Sequence, residues 1–431
     1  MTRLDRVREI IGGTTARSWN QRGVEPPTSS PRSYSEAVEV LGGTLESGPD
    51  GSTFTVRRTY PAGDLYGRWP LGEYPSPSVD ALEILAADDG ERDCVDSQRG
   101  VICLDLETTG LCGGAGTVGF IVGLGWFEAN AFATCQYFLS RLPDERRLLR
   151  SVADGLRHTH TIITFNGKSF DAPVMETRYA FHRLRSPLDG LRHVDLLHPS
   201  RHLWAGDESR LVSLERTVLG LRRVGDVPGA EIPGRYVAYL QDGDARRLAP
   251  VLEHNRLDLV SLGVLTGLAC QLVRAGAGVA DDALQALGLG RVYEKVGRHE
   301  SAVACYRRVS GFTPAERPVT TPAGSSTTDI EASAHALGRL ASIYRRQRRY
   351  SDAAAAWTRL LRLPRVPGRL RREASLALAV HHEHRLRDLR QAQCFAEHAL
   401  KAEPHPARRR AVQYRLTRLR RKIDSTTERM I

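Results

Sequence analysis

Residues 101–110 read VICLDLETTG, and this stretch decides the fold. Its first four residues form a short apolar run, which predicts a buried strand. Asp105 and Glu107 follow, and side chains two apart on a strand point to the same face. Two same-facing carboxylates repel each other unless a cation lies between them. Because hard cations prefer carboxylate oxygen, the pattern indicates a divalent metal site, with a solvated strand end as the simpler alternative.

A third acid follows a later predicted strand. TIITF (161–165) predicts a strand, Asn166 and Gly167 a turn, and DAPVMETRYAFHRL a helix that begins at Asp171. The sequence therefore delivers Asp171 to the carboxyl edge of the sheet, where sites form in open α/β sheets. The alternative is that Asp171 only caps its helix.

A fourth acid, Asp258, lies four residues after His254 on a predicted late helix, so both share one face. A surface pair is the alternative. Taken together, the four acids could hold two Mg²⁺ or Mn²⁺ ions roughly 4 Å apart, the arrangement that hydrolyses phosphodiesters. His254 would take the proton from the attacking water, since an imidazole titrates near working pH.

Composition limits the class of protein. The 431 residues suffice for two or three domains, and 41% apolar content suits a globular core. Seven cysteines without a CxxC favour reduced thiols in a cytoplasm. No apolar run approaches the roughly 18 residues that span a bilayer, and charges interrupt the N-terminal apolar patch, so we expect neither membrane nor secretory signal.

The net charge of +11 is unevenly distributed. Residues 281–431 hold 30 Lys and Arg against 15 Asp and Glu, whereas residues 1–280 hold 31 against 35. A basic C-terminal third beside an acidic catalytic part suits a polyanionic partner such as nucleic acid. Only four of the 61 basic residues are lysine, an arginine bias that genome composition could explain. This bias does not explain why the positive charge is concentrated in residues 281–431.

The C-terminal third also repeats. Leu289-Gly290-x-x-Tyr293 with Ala302, Tyr306 and Pro314 fits the tetratricopeptide pattern, and a second copy keeps its internal spacings. That copy comprises Leu340, Ala341, Tyr344, Ala353 and Trp357; a weaker third one has Ala392, Ala396, Ala399 and Pro404, with one residue of slippage in its first half. We predict a flexible lead-in at 1–34, a small segment packing on the nuclease domain at 35–97, a catalytic domain at 98–275 and helical repeats with a basic tail at 281–425.

Three motifs carry a family resemblance. Asp105-x-Glu107-Thr108-Thr109, Asn166-Gly167-Lys168-Ser169-Phe170-Asp171 and His254-Asn255-x-x-Asp258 resemble the motifs of the DEDD exonuclease superfamily. More narrowly, ITFNGKSFD and the trailing repeats look like the YprB-type ribonuclease H-like domain proteins of bacteria. The resemblance covers about residues 98–270 well. The superfamily usually has either a tyrosine four residues before the last aspartate or a histidine five residues before it. This chain departs from that pattern, because His254 stands at the tyrosine spacing.

The resemblance implies an α/β ribonuclease H-like domain, a mixed five-stranded sheet flanked by helices, followed by an all-α tetratricopeptide-like domain. It implies two-metal hydrolysis at the 3′ end of a nucleic acid strand, a 3′–5′ exonuclease with Asp105, Glu107, Asp171 and Asp258 as metal ligands. Substrate contacts fall on the remaining motif residues, Thr108, Thr109, Asn166, Lys168 and Phe170. The alternatives are a non-catalytic nucleic-acid-binding scaffold that recruits a protein partner through its repeats, and a structure-dependent endonuclease.

Overall fold

The computed structural model describes residues 34–87, 100–110, 116–204, 210–313 and 326–428. The predicted lead-in up to residue 33 lies outside these ranges. Two compact units are present. The first contains the described residues up to Ser200 and those from 210 to Gln271, and the second contains residues 201–204 and those from Leu272 onward.

The first unit is built on a mixed seven-stranded sheet. The strands follow the order β1-β2-β7-β6-β5-β8-β9, in which β5, β8 and β9 are parallel and the others are antiparallel. A two-stranded ribbon, β3–β4, stands apart from it. The strands are β1 (Thr44–Gly48), β2 (Gly51–Pro61), β3 (Leu65–Tyr66), β4 (Trp69–Pro70), β5 (Val101–Thr108), β6 (Gly119–Glu128), β7 (Ala131–Phe138), β8 (Thr161–Thr164) and β9 (Arg192–Asp195).

The five strands predicted for the domain at 98–275 are present as β5 to β9, and the N-terminal segment adds β1 and β2 to the same sheet. The hairpin expected around residues 49–51 is confirmed, since β1 and β2 pair up to Gly48 and Gly51. This hairpin continues the sheet, because β2 pairs antiparallel with β7 and sets Phe54 opposite Phe138. An open edge on β7 would expose a row of unpaired main-chain groups, and β2 covers it. The strand-rich part of the N-terminal segment is therefore part of the main sheet.

Helices cover both faces of this sheet. Gly155 of the helix at 145–155 packs on Leu124, whereas Gly123 faces Asn255 of the helix at 249–275, so successive residues of β6 meet helices on opposite faces. The helices of this unit are α1 (Tyr34–Leu41), α2 (Val79–Ala86), α3 (Glu145–Gly155), α4 (Asp171–Phe181), α5 (Leu197–Leu203), α6 (Leu211–Leu214), α7 (Ile232–Asp242) and α8 (Ala249–Ala275).

The α8 helix is longer and more apolar than the sequence suggested. By length and composition alone, the helical stretch at 245–279 could cross a membrane, which the expectation of no such run had missed. Two-thirds of its most apolar window is buried inside the protein, as in the core helix of a globular domain. The same helix carries His254, Asn255 and Asp258, so its apolar faces position a polar site.

The second unit consists of helical hairpins. The residues that predicted the first two repeats are buried, among them Leu289, Tyr306, Leu340 and Trp357. In the third copy a π-helical turn at His382–Leu386 adds one residue to the helix, the physical counterpart of the slippage in the pattern. The helices are α9 (Ala283–Lys295), α10 (His299–Ser310), α11 (Thr327–Arg346), α12 (Tyr350–Leu361), α13 (Gly368–His381), α14 (Leu389–Lys401) and α15 (Pro406–Glu428).

Candidate active site

The centre of the sheet carries the first two acids. β5 lies between antiparallel β6 and parallel β8, and Asp105 and Glu107 stand in its carboxyl-terminal half. The pairing of β5 with β6 shifts between Glu107 and Thr108. Such a bulge re-aims the side chains beside it and is frequent next to active sites. The strand therefore presents both carboxylates at the edge that was predicted.

Asp171 is tied directly to that strand. It begins α4, and its Oδ1 accepts the main-chain N–H of Leu106 at 3.2 Å. Leu106 stands between Asp105 and Glu107, so this bond brings the third carboxylate beside the first two. Asp171 is buried, and its role is thus more than capping its own helix.

A fourth aspartate shapes the loop that leads to Asp171. Asp195, at the end of β9, accepts the main-chain N–H groups of Asn166 at 2.7 Å and Lys168 at 3.1 Å. Asn166 has a φ of 67°, and a Cβ on Gly167 would lie 2.4 Å from Thr164. This tight turn therefore leaves no room for a side chain at Gly167, and the Asp195 carboxylate satisfies two of its main-chain N–H groups.

Asp105 is held from the other side by α8. The Asn255 side-chain amide donates to Asp105 Oδ2 at 2.7 Å and to the Asp105 carbonyl at 3.2 Å. Gln136 of β7 donates in turn to Asn255 Oδ1 at 2.8 Å and to the Leu252 carbonyl at 2.7 Å. Asn255 and Gln136 are fully buried, so this chain of amides fixes the carboxylate from within the core.

Burial and neighbouring carboxylates raise the pKa values of three of these acids. Burial raises the pKa of Asp105 well above its usual range, and the charges of Asp258, Glu107 and Asp171 add to the rise. Glu107 is raised well above its usual pKa by burial and by the charges of Asp258 and Asp171. Burial likewise raises the pKa of Asp171 to about 7. The four carboxylates therefore lie within electrostatic reach of one another.

A buried arginine, Arg223, compensates part of this negative charge. Its guanidinium makes two bonds to Glu215, Nε to Oε2 at 2.8 Å and Nη2 to Oε1 at 2.5 Å. Nη2 also donates to Asp258 Oδ1, and Nη1 donates to Asp226 Oδ2 at 3.2 Å. The Arg223 side chain is only 3% exposed, so these charges interact in a poorly screened environment.

His254 lies between two of these acids. Its Nδ1 is 2.6 Å from Asp226 Oδ1, and its Nε2 is 3.7 Å from Asp258 Oδ2. Burial works to raise the pKa of Asp226, but the hydrogen bond with His254 and the charges of His254 and Arg223 outweigh it and lower that pKa. A carboxylate on Nδ1 fixes the ring orientation and leaves Nε2 directed toward Asp258.

The five residues expected to contact substrate differ in exposure and in whether their side chains are already hydrogen-bonded. Thr108 Oγ1 donates to the Gly110 carbonyl at 2.8 Å, and Thr109 Oγ1 accepts the N–H of Val118 at 3.0 Å, so both hydroxyls brace the end of β5. Asn166 and Lys168 have exposed side chains, and Phe170 is half-buried. The loop before Asp171 is thus the part of this set that could meet a ligand.

The donor set fits a divalent cation in its chemistry. The buried Glu107 and Asp171 and the half-buried Asp105 form an oxygen-rich site. Their pKa values are raised by burial and by neighbouring carboxylates, a repulsion that a hard cation would relieve. Within the described ranges, however, no three His, Cys, Asp or Glu side chains already form a group that could hold an ion. Asp258 is paired with Arg223, and Asp105 with Asn255. The acids therefore stand close together with two of them engaged by side-chain donors.

Sequence reasoning missed four residues of this site: Gln136, Glu215, Arg223 and Asp226. Gln136 interrupts an apolar strand, FATCQYF, and a buried polar residue there was the one available signal. Glu215, Arg223 and Asp226 lie in a helical turn and a turn-rich connection, and their partners are distant in sequence. Local sequence patterns do not predict ion pairs between residues so far apart in the chain.

Comparisons with known proteins agree with the architecture. The RNase_H superfamily model matches residues 102–269, and the tetratricopeptide repeat model matches residues 286–316 and 336–370. The uncharacterized protein YprB of Bacillus subtilis (strain 168) is 27% identical over 334 residues, which cover 76% of each chain.

One solved structure also matches at low similarity. The family B DNA polymerase of the hyperthermophilic archaeon Pyrobaculum calidifontis aligns with 85% of this chain at 13% identity and a TM-score of 0.34. This chain covers 56% of that polymerase. From the family models and YprB, we conclude that residues 102–269 form a ribonuclease H superfamily domain and that tetratricopeptide repeats follow it.

Proposed function

We propose that the protein hydrolyses phosphodiester bonds in nucleic acid as a metal-dependent 3′–5′ exonuclease. The observation that carries this proposal is the assembly of Asp105, Glu107, Asp171 and Asp258 at the carboxyl edge of β5 and β8, within one electrostatic cluster. These four side chains would hold two Mg²⁺ or Mn²⁺ ions. When bound, such ions activate water and stabilise the leaving oxygen.

The chain's own residues supply orientation and a proton acceptor. Asn255 holds Asp105 in place from the core, and the N–H of Leu106 does the same for Asp171. His254 Nε2 would accept the proton of the attacking water, and Asp226 at Nδ1 would stabilise the resulting imidazolium. The exposed Lys168, three residues before Asp171, offers a positive charge for a strand phosphate.

The test is a time course with single-stranded DNA and RNA labelled at the 3′ or the 5′ end, with Mn²⁺, Mg²⁺ or EDTA. A 3′–5′ exonuclease shortens 5′-labelled strands into a ladder and releases the label from 3′-labelled strands at once. EDTA should abolish both effects. Release of label from the 5′ end first would contradict the polarity.

The same assay separates the two alternative functions. Circular single-stranded substrate resists an exonuclease, so its linearisation would indicate a structure-dependent endonuclease. Binding without any cleavage would indicate a scaffold that recruits partners through its repeats. We favour catalysis because a buried acid cluster is costly to keep without a cation to use it.

A further inference from the structure

Both oxygens of Asp258 are already directed at cationic or basic groups of the chain. Arg223 Nη2 donates to Oδ1, and His254 Nε2 lies 3.7 Å from Oδ2. The Asp258 side chain is 17% exposed, so solvent screens this pairing only weakly. A cation that coordinates Oδ1 must compete with this hydrogen bond and approach against the positive charge of the guanidinium.

The guanidinium is also anchored by a second carboxylate. Glu215 holds it with two bonds, and Ser261 Oγ donates to Glu215 Oε1 at 2.5 Å. Tyr66 of the β3–β4 ribbon lies 2.6 Å from that Ser261 hydroxyl. Glu215 is fully buried, so this anchor belongs to the core. Arg223 therefore stays close to Asp258 even when its bond to that residue breaks.

We propose that Arg223 competes with a divalent ion for Asp258 and so sets the affinity of the ion that this carboxylate holds. This inference rests on the proposed function, because it concerns the same acids. A positive charge fixed beside the ligand weakens ion binding twice, by occupying Oδ1 and by repelling the ion afterwards. The anchor on Glu215 makes Arg223 a positioning residue: it acts through Asp258 and not on the substrate.

The test is a Mn²⁺ titration of the full-length chain, followed by calorimetry and by electron paramagnetic resonance of free Mn²⁺. It needs no substrate. Arg223→Gln should raise the affinity of the Asp258-dependent ion at least tenfold. Asp258→Asn identifies that ion, and in the double variant Arg223→Gln/Asp258→Asn the gain should vanish. The matched control is Arg222→Gln, an exposed arginine at the neighbouring position, which should leave the affinity within about twofold.

A second variant guards against misfolding, since Arg223→Gln leaves the buried Glu215 unpaired. Arg223→Met with Glu215→Met removes one positive and one negative charge and keeps the volume, a replacement that proteins often tolerate. It should also bind the ion more tightly than wild type. An unchanged or lower affinity in a folded Arg223 variant, or a gain that persists with Asp258→Asn, would overturn the inference. Absence of Mn²⁺ binding in the wild type would contradict the proposed function as well.

Discussion

The Asn255 side-chain amide donates to Asp105 Oδ2 across 2.7 Å, and this bond joins the long core helix α8 to β5 at the centre of the sheet. Asn255 is itself fixed by Gln136, so the carboxylate is oriented by two buried amides in series. Since a catalytic ligand must be held to within about 0.5 Å, this support contributes to the role proposed for Asp105.

Asn255→Ala should therefore lower the hydrolysis rate about 100-fold, because Asp105 loses the donor that orients it. It should also lower the free energy of unfolding by about 1–3 kcal/mol, since Gln136 loses an acceptor in the core. Rates on a labelled strand and thermal unfolding measure the two effects.

Gln136→Leu is the matched comparison. It removes the outer amide and leaves the Asn255–Asp105 bond in place, so stability should fall with a much smaller loss of rate. Equal losses of rate in both variants would show that global destabilisation, and not the orientation of Asp105, explains the effect.

The close approach of α8 to the sheet depends on Gly123. A Cβ at this position would lie 2.3 Å from Asn255 Oδ1 and 2.8 Å from Leu259 Cδ1. Gly123→Ala should lower the free energy of unfolding by about 1–3 kcal/mol and displace Asn255 from Asp105. Gly119→Ala on the same strand is the control, because its Cβ would lie 3.4 Å from the nearest atom, an ordinary contact. Similar melting temperatures for the two variants would contradict the close packing.

The acid cluster predicts a pH dependence of stability in the metal-free protein. The pKa of Asp171 is about 7 in the folded chain and near 4 when unfolded, so the folded state binds more protons between these values. The free energy of unfolding therefore falls as pH rises from about 5 to 7, because the protonated carboxyl group is tolerated in the fold and the carboxylate is not. In EDTA, we expect the melting temperature to drop by about 3 °C or more across this window.

Two further measurements isolate the cluster. Asp105→Asn should reduce that drop, since it removes one of the repelling charges, and Mn²⁺ should stabilise the wild type more at pH 7 than at pH 5. Asp189→Asn, which changes an exposed carboxylate, should leave the pH profile as it is. A melting temperature that rises between pH 5 and 7 in EDTA would contradict the strained cluster.

What the sequence could predict was local. The apolar run ending in Asp105 and Glu107, the strand before Asn166 and the helix from Asp171 each carry their signal within ten residues, and each is present. The sequence did not predict that the N-terminal hairpin joins this sheet, because the pairing of β2 with β7 brings Phe54 to Phe138, more than 80 residues away, and no short pattern encodes that.

The same limit applies to the site. Asp258 was found through its spacing from His254, but Arg223 meets it only after the chain has folded. Gln136 and Asn255 are 119 residues apart, and no sequence pattern around either residue predicts their contact. The carboxylates were predictable because they cluster in motifs, whereas the residues that orient and neutralise them come from connections.

The basic surface of α15 leads us to predict that this helix contacts nucleic acid. It contains eight basic and two acidic residues. Glu383 binds Arg415, Arg418 and Lys422, whereas Arg408, Arg410 and Arg421 are exposed. Changing the latter three to Gln in an Asp105→Asn background should weaken single-strand binding and flatten its log–log salt slope by about 2.

The matched control for α15 removes equal charge elsewhere. Arg157, Arg183 and Arg185 are exposed residues of the first unit, and their change to Gln should leave the salt slope nearly unchanged. Equal weakening by both triple variants would indicate a general effect of net charge and not a contact made by α15.

The most direct test of the central claim is the hydrolysis of a 5′-labelled single strand with Mn²⁺ by wild type, Asp105→Asn, Asp258→Asn and the surface control Asp189→Asn. We predict a ladder for wild type and Asp189→Asn, and at least a 1,000-fold loss for the other two, since each removes a carboxylate of the proposed metal site. Both inactive variants should remain folded, and Asp105→Asn should have a melting temperature in EDTA equal to or above that of wild type, since it loses only a repelling charge. Full activity of a folded Asp105→Asn or Asp258→Asn protein would contradict the assignment of this site.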